Sequence, residues 1–173
     1  CDTFSGCEKL VAIKIDKTKF TMDNCVETIK MFYKCYKLRY IGNTVTPETA
    51  STVDSIFDLT GFNTENIKNM SEMFEYCQAV ETIDMSSFKT DNLTNISSMF
   101  RLWSSNNKLK TIYANPAQWD GKTFNGDSYV FADCKNVVRN GVTVNPGNSP
   151  ANNMWKADMA NTITGYFTAK TSS

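Results

Sequence analysis

The side chains of this chain that could do chemistry are carboxylates, thiols and hydroxyls, because its 173 residues include no histidine. Without imidazole there is no Ser-His-Asp or Cys-His nucleophile and no histidine-containing zinc site. Asp58 and Asp84 occupy matching places in two strand-like segments. Stacked strands would bring them near the roughly 5–5.5 Å carboxyl separation of a retaining glycosidase. On an open face in water two such charges repel by only about 1 kcal/mol, so a solvated acidic patch is the simpler expectation. Calcium bridging and hydrolysis are the remoter ones. The six cysteines contain no close pair of the kind that holds a metal, and no cofactor is implied.

The elements that must position these groups come from a repeat. An aromatic residue is followed twelve residues later by another: Phe20 by Phe32, Phe62 by Phe74, Phe88 by Phe100 and Trp119 by Phe131. The clearest copies are GFNTENIKNMSEMFEYC (61–77) and SFKTDNLTNISSMFRLW (87–103), a period of 26 residues from Phe62 to Phe88. Apolar columns hold their places, with Cys25, Ile67, Leu93 and Phe124 in one and Met31, Met73, Met99 and Val130 in another. Cys7, Cys35, Cys77 and Cys134 share an inward column in which Trp103 stands as a core substitution.

A segment of period-two alternation recurs in each unit, at 11–15, 56–59, 81–85 and 110–114, the mark of a half-buried strand. One strand per unit in a fixed place predicts a coil whose short strands stack in parallel. The SEMFEYC-like stretch reads as one or two helical turns opposite the strand. A lone unit buries about five large apolar side chains, about 8–15 kcal/mol, against about 1–2 kcal/mol of backbone entropy for each ordered residue. Units must therefore stack to fold.

Neighbouring coils place cysteines close enough to bridge, but parallel Cβ directions point side by side, which favours buried free thiols. The triplets Asn69-Met70-Ser71, Asn92-Leu93-Thr94 and Asn95-Ile96-Ser97 match an N-glycosylation pattern. They also fall on repeat positions where Asn and Ser satisfy turn backbone groups.

The sequence thus predicts an α/β repeat: about four to five coils over 1–139, with an insertion near 42–55. A turn-rich C-terminal cap over 140–168 and a tail over 169–173 complete it. The segments FDLTGFNTENIKNMSEMFEYC (57–77), TIDMSSFKTDNLTNISSMF (82–100), TIYANPAQWD (111–120) and GYFT (165–168) resemble the BspA-like leucine-rich-repeat surface proteins of bacteria, over roughly residues 4–168. That resemblance implies a leucine-rich-repeat-like solenoid at the cell surface or outside the cell, secreted or held as a lipoprotein. It implies adhesion or protein binding to host, matrix or neighbouring cells, with no catalytic residues. Cys1 belongs to no column. A lipid anchor there, or upstream, and a chain end produced inside a repeat are both compatible with 3–7 being already mid-unit.

Charge and hydropathy narrow the partner. With 18 basic and 18 acidic residues no field favours nucleic acid, and no apolar run spans a bilayer. The expected binding face is the outward strand set, Lys14, Asp16, Asp58, Thr60, Thr82, Asp84, Ser86, Thr111 and Tyr113, facing a protein or glycan surface. The alternatives are a spacer repeat without its own ligand and a carbohydrate-active enzyme using Asp58 and Asp84.

Overall fold

The computed structural model describes residues 2–44, 54–103, 106–125, 129–144, 160–163 and 165–171. Among the described residues eight short strands and one helical turn follow in the order β1 (Ala12–Lys14), β2 (Tyr40–Gly42), β3 (Ile56–Asp58), β4 (Thr82–Asp84), β5 (Thr111–Ala114), α1 (Pro116–Trp119), β6 (Val138–Arg139), β7 (Val142–Thr143) and β8 (Thr168–Ala169). Six form one parallel sheet in the order β1-β2-β3-β4-β5-β8. This is a parallel β-solenoid of about three turns, carrying the chain from β1 to β2, β3 to β4 and β4 to β5. No helix among the described residues is long and apolar enough to cross a membrane.

The expected short helical turns are not there; α1 is the one helix among the described residues. The reason lies in where the backbone N–H groups go. An α-helix donates each N–H to the carbonyl four residues back. Here the N–H groups of Lys30, Phe32 and Lys34 are given to the next coil, to the carbonyls of Ser71, Met73 and Glu75 at 3.1, 3.0 and 3.0 Å. Glu72, Phe74 and Tyr76 repeat this onto Ser97, Met99 and Arg101 at 2.9, 3.0 and 2.8 Å. The residues two before and two after Phe32, Phe74 and Phe131 take positive φ, at Lys30, Lys34, Glu72, Tyr76, Tyr129 and Asp133, as do Ser98 before Phe100 and Gly6 after Phe4. Positive φ ends a right-handed helix at each such residue. What reads in sequence as helix is a pair of tight turns facing the neighbouring coil.

Between these turns the phenylalanines form one ladder. Phe4 stacks on Phe32 at 5.5 Å, Phe32 on Phe74 at 5.8 Å, Phe74 on Phe100 at 5.6 Å and Phe100 on Phe131 at 5.5 Å, with interplanar angles between 3° and 19°. Tyr166 ends it on Phe131 at 4.4 Å. Beside the rings runs a thiol ladder. Cys35 Sγ donates to the Phe4 carbonyl at 3.1 Å, Cys77 to Phe32 at 3.2 Å and Cys134 to Phe100 at 3.0 Å. Each is a free thiol. Burial raises all three above the ordinary thiol range, Cys35 to about 11, so they fill space and donate rather than react.

The irregular stretch holds a strand that the sequence pattern misses. β2 pairs with β1 along its length and with β3 through Ile41 and Phe57. From β2 to β4 the sheet climbs two rungs, roughly 9–10 Å, while Phe32 and Phe74 stand only 5.8 Å apart. The stack must fan at this point. Phe57 fills the wedge, its ring 6.2 Å from Phe32 and 6.1 Å from Phe74. Gly42 is required because the Tyr40 ring folds over it where a Cβ would stand. The remainder of the expected insertion, 45–53, lies outside the described residues.

Beyond β5 the last rung is shared. Val138 N donates to Lys110 O at 2.8 Å, then the chain leaves through the β6–β7 hairpin. Asn140 and Gly141, both at positive φ, form the two-residue turn, as the right-handed twist of a hairpin requires. β8 then completes the sheet beside Tyr113 and Ala114, so Ala169, expected to begin a tail, sits in a strand.

Phe100 lies against Phe74, Phe131 and Phe167, whereas Phe4 meets Phe32 alone among the ring contacts. Truncating Phe100 to Ala is expected to cost about 3–5 kcal/mol in urea unfolding, and Phe4→Ala about 1–2 kcal/mol.

Candidate functional site

The expected binding face begins with the ends of the strands. In Asp16-Lys17-Thr18, Asp58-Leu59-Thr60 and Asp84-Met85-Ser86 each carboxylate accepts from the hydroxyl two residues on, at 2.7, 2.7 and 2.8 Å. It also accepts the N–H of that residue, at 3.0, 3.3 and 3.1 Å. The Asp-x-Ser/Thr pattern is a turn device that closes each strand.

Register aligns Asp58 with Asp84 and Asp84 with Tyr113, and Thr82 with Thr111. A polar groove of 490 Å³ gathers Asp58, Thr60, Asp84 and Ser86 with Ser87, Lys170 and Thr171. Thr82 and Tyr113 line a neighbouring recess of 360 Å³ with Asp54, Ser55 and Glu81, and half-buried Thr111 stands beside Thr82 in the sheet. Lys14 and Asp16 are exposed at the first coil, at a third recess of 240 Å³. The intervening rung carries buried Tyr40 and Gly42, with Gly42 opposite Lys14, so it offers no polar side chain to join them. The nine residues therefore form three neighbouring patches rather than one unbroken face.

Two lysines unmarked by the pattern change the electrostatics. Lys17 Nζ lies 2.7 Å from both Asp58 Oδ2 and Thr60 Oγ1. Its stem crosses Gly61, where a Cβ would come within 2.6 Å of it, so glycine at this position opens the path. Burial pushes the Asp58 carboxyl up, yet the hydrogen bonds from Lys17 and Thr60 outweigh it and hold the group below its ordinary value. Lys170, just past β8, ion-pairs with Asp84 and lies over the Tyr113 ring at 5.2 Å. Asp84 is thus 4% exposed, not the solvated carboxylate expected. Lys170 fell in a segment read as tail, so nothing in the repeat pointed to it.

A second surface lies on the turn edge, where Trp103 corrects the cysteine-column reading. In the fourth coil Leu102 is buried while Trp103 is 71% exposed. Trp103 stands edge-on to Tyr76 at 6.0 Å, and Tyr76 is 5.7 Å from Tyr33. These rings, with Lys34, Tyr36 and Gln78, line a groove of 420 Å³. Beneath it Glu75 is buried, with Arg101 at 3.4 Å from its carboxylate and Glu72 nearby. Burial, and after it Glu72, raise Glu75 to about 7.

The Asn triplets serve the turns, as expected. Asn69 accepts from Ser71 N and Asn95 from Ser97 N, each at 2.9 Å, and Asn92 Nδ2 donates to Glu65 O at 2.8 Å.

Stacked coils with one parallel strand each and a Met-Phe-x-x-Cys-type turn define a repeat β-solenoid. Residues 48–168 match the family described as "Mycoplasma protein of unknown function, DUF285", and the chain belongs to that family. The ring ladder and sheet extend N-terminal to the matched stretch through Phe32, Phe4, β2 and β1. No curated protein and no solved structure matches the chain.

Glu75 supplies a pH prediction. The folded state keeps its proton to about pH 7, while an exposed glutamate releases it near 4.5, so stability falls as pH rises through that window. Thermal melts should show wild type less stable at pH 8 than at pH 5, by on the order of 2 kcal/mol. Glu75→Gln should flatten that difference.

Proposed function

We propose that this chain is a non-enzymatic recognition module of the BspA-like kind, displayed at a bacterial cell surface or secreted. It binds proteins or glycans of host, matrix or neighbouring cells through its open sheet face. The observation that supports this reading most is the groove at Asp58, Thr60, Asp84 and Ser86, rigidly placed by strand register and lined by carboxylates, hydroxyls and ammonium groups. Such a surface makes many modest polar contacts, and linked copies would raise avidity without new contacts. Surface display is what the BspA resemblance implies.

Ion pairing of the two aspartates weighs against hydrolysis. A retaining glycosidase needs one carboxyl held protonated near neutrality. Asp58 is held low instead, and Asp84 is committed to Lys170 and Ser86.

Surface plasmon resonance against immobilised matrix proteins and a glycan array should find a ligand. Thr82→Arg and Thr111→Arg should each weaken binding at least tenfold with an unchanged melting temperature. Silence across both panels would favour a spacer role, and full binding by both variants would remove the sheet face from the account. Polysaccharide cleavage lost in Asp58→Asn would reinstate the enzyme.

A further inference from the structure

We infer that the turn edge carries a second, independent binding surface for an acidic polysaccharide, with sugar rings seated against Tyr33, Tyr76 and Trp103 and sugar carboxylates meeting Lys34 and its cationic neighbours. The departure point is Trp103. Cys35, Cys77 and Cys134, three residues beyond their phenylalanines, turn inward and cap a carbonyl. The fourth coil buries Leu102 instead and presents an indole to solvent, 71% exposed. Leu102 N still donates to Ala132 O at 2.9 Å, so the coil keeps its place while its largest side chain faces outward. An indole is amphipathic, with an apolar face and one N–H donor, and it adjoins the Tyr33 and Tyr76 rings at a groove, an arrangement suited to contact.

The arrangement of the rings suits a periodic ligand. Tyr33, Tyr76 and Trp103 come from three successive coils, 5.7 and 6.0 Å apart, close to the advance of one sugar along an extended glycan. Their planes are inclined by 51° and 81°, so the rings pack on one another and together form one stepped aromatic wall of the groove. Gln78 and Tyr36 add hydrogen-bonding groups to the same groove.

Charge selects an acidic chain. Lys30 and Lys34 lie over the Tyr33 ring at 5.3 and 5.1 Å, and Arg101 lies over Tyr76 and Tyr129 at 5.8 and 5.2 Å. Glu72 lies 3.4 Å from Lys30, and buried Glu75, which keeps its proton to about pH 7, lies 3.4 Å from Arg101, so these three cations are not fully balanced. Lys34 forms no ion pair with a carboxylate among the described residues, and its ammonium leans on Tyr33 at the wall of the groove, where a ligand carboxylate can meet it. A peptide added as a strand has little to pair with here. The N–H groups of Lys30, Phe32, Lys34, Glu72, Phe74 and Tyr76 are already donated to the next coil.

The test is a fluorescence and calorimetric titration of the whole chain with three probes: a hyaluronan decasaccharide, chitohexaose as a neutral glycan, and poly-glutamate as an acidic chain without sugar rings. Hyaluronan should bind, more weakly as salt rises, and chitohexaose at least tenfold more weakly. Trp103→Ala and Lys34→Glu should each cost at least tenfold in hyaluronan affinity at unchanged melting temperature, whereas Thr82→Arg on the sheet should leave it unaltered. No hyaluronan binding at millimolar concentration, poly-glutamate binding as tightly, or full binding by Trp103→Ala would overturn the proposal. Loss in Thr82→Arg alone would move the glycan to the sheet face.

Discussion

The turns centred on Phe4, Phe32, Phe74 and Phe100 hand alternate backbone N–H groups to the carbonyls of the next coil. The donors at Lys30, Phe32 and Lys34, and again at Glu72, Phe74 and Tyr76, have no partner within their own turn. Isolated, a coil would leave them to water and its Phe half-exposed. Stacked, it satisfies them and buries the ring, worth about 1.5–3 kcal/mol for each such side chain. Cooperativity along the rod follows from that dependence. The positive φ at the flanking residues is the local strain that the arrangement tolerates, since those residues aim alternate N–H groups out of the turn.

The same constraint explains what could be read from the residues alone. Twelve-residue aromatic spacing exposed the stack, because ring-on-ring contact tolerates little substitution, and four of the strands lie where period-two alternation put them. The turns were misread as helical because Glu, Met, Phe and Tyr at 72–76 carry no signal for positive φ; a glycine would have given one, and only the first coil has it, at Gly6. β2 was hidden because Tyr40, Ile41 and Gly42 are all buried and so show no alternation. β8 escaped because two residues completing another strand's rung leave no period at all.

For the candidate site, sequence placed the carboxylates and hydroxyls but not their counter-charges. Lys17 reaches Asp58 across 41 positions and Lys170 reaches Asp84 across 86, and both depend on which coils become neighbours. Those two ammonium groups turn what looked like a repulsive acidic pair into a balanced polar groove. Trp103 teaches the converse: a residue at a core position of the repeat can face solvent when its neighbour, here Leu102, takes the inward place. Departures from the repeat are thus where this rod acquires surfaces that its regular coils lack.

The inter-coil hydrogen bonds are open to direct measurement by native-state hydrogen exchange. The amides of Phe32, Lys34, Phe74, Tyr76, Phe100 and Leu102 should exchange slowest and together, at the free energy of global unfolding, with Phe4 and Gly6 in the first described coil exchanging faster. Fast exchange at Phe74 and Tyr76, alongside protection of the strands alone, would contradict the account that coil-to-coil donation holds the molecule together.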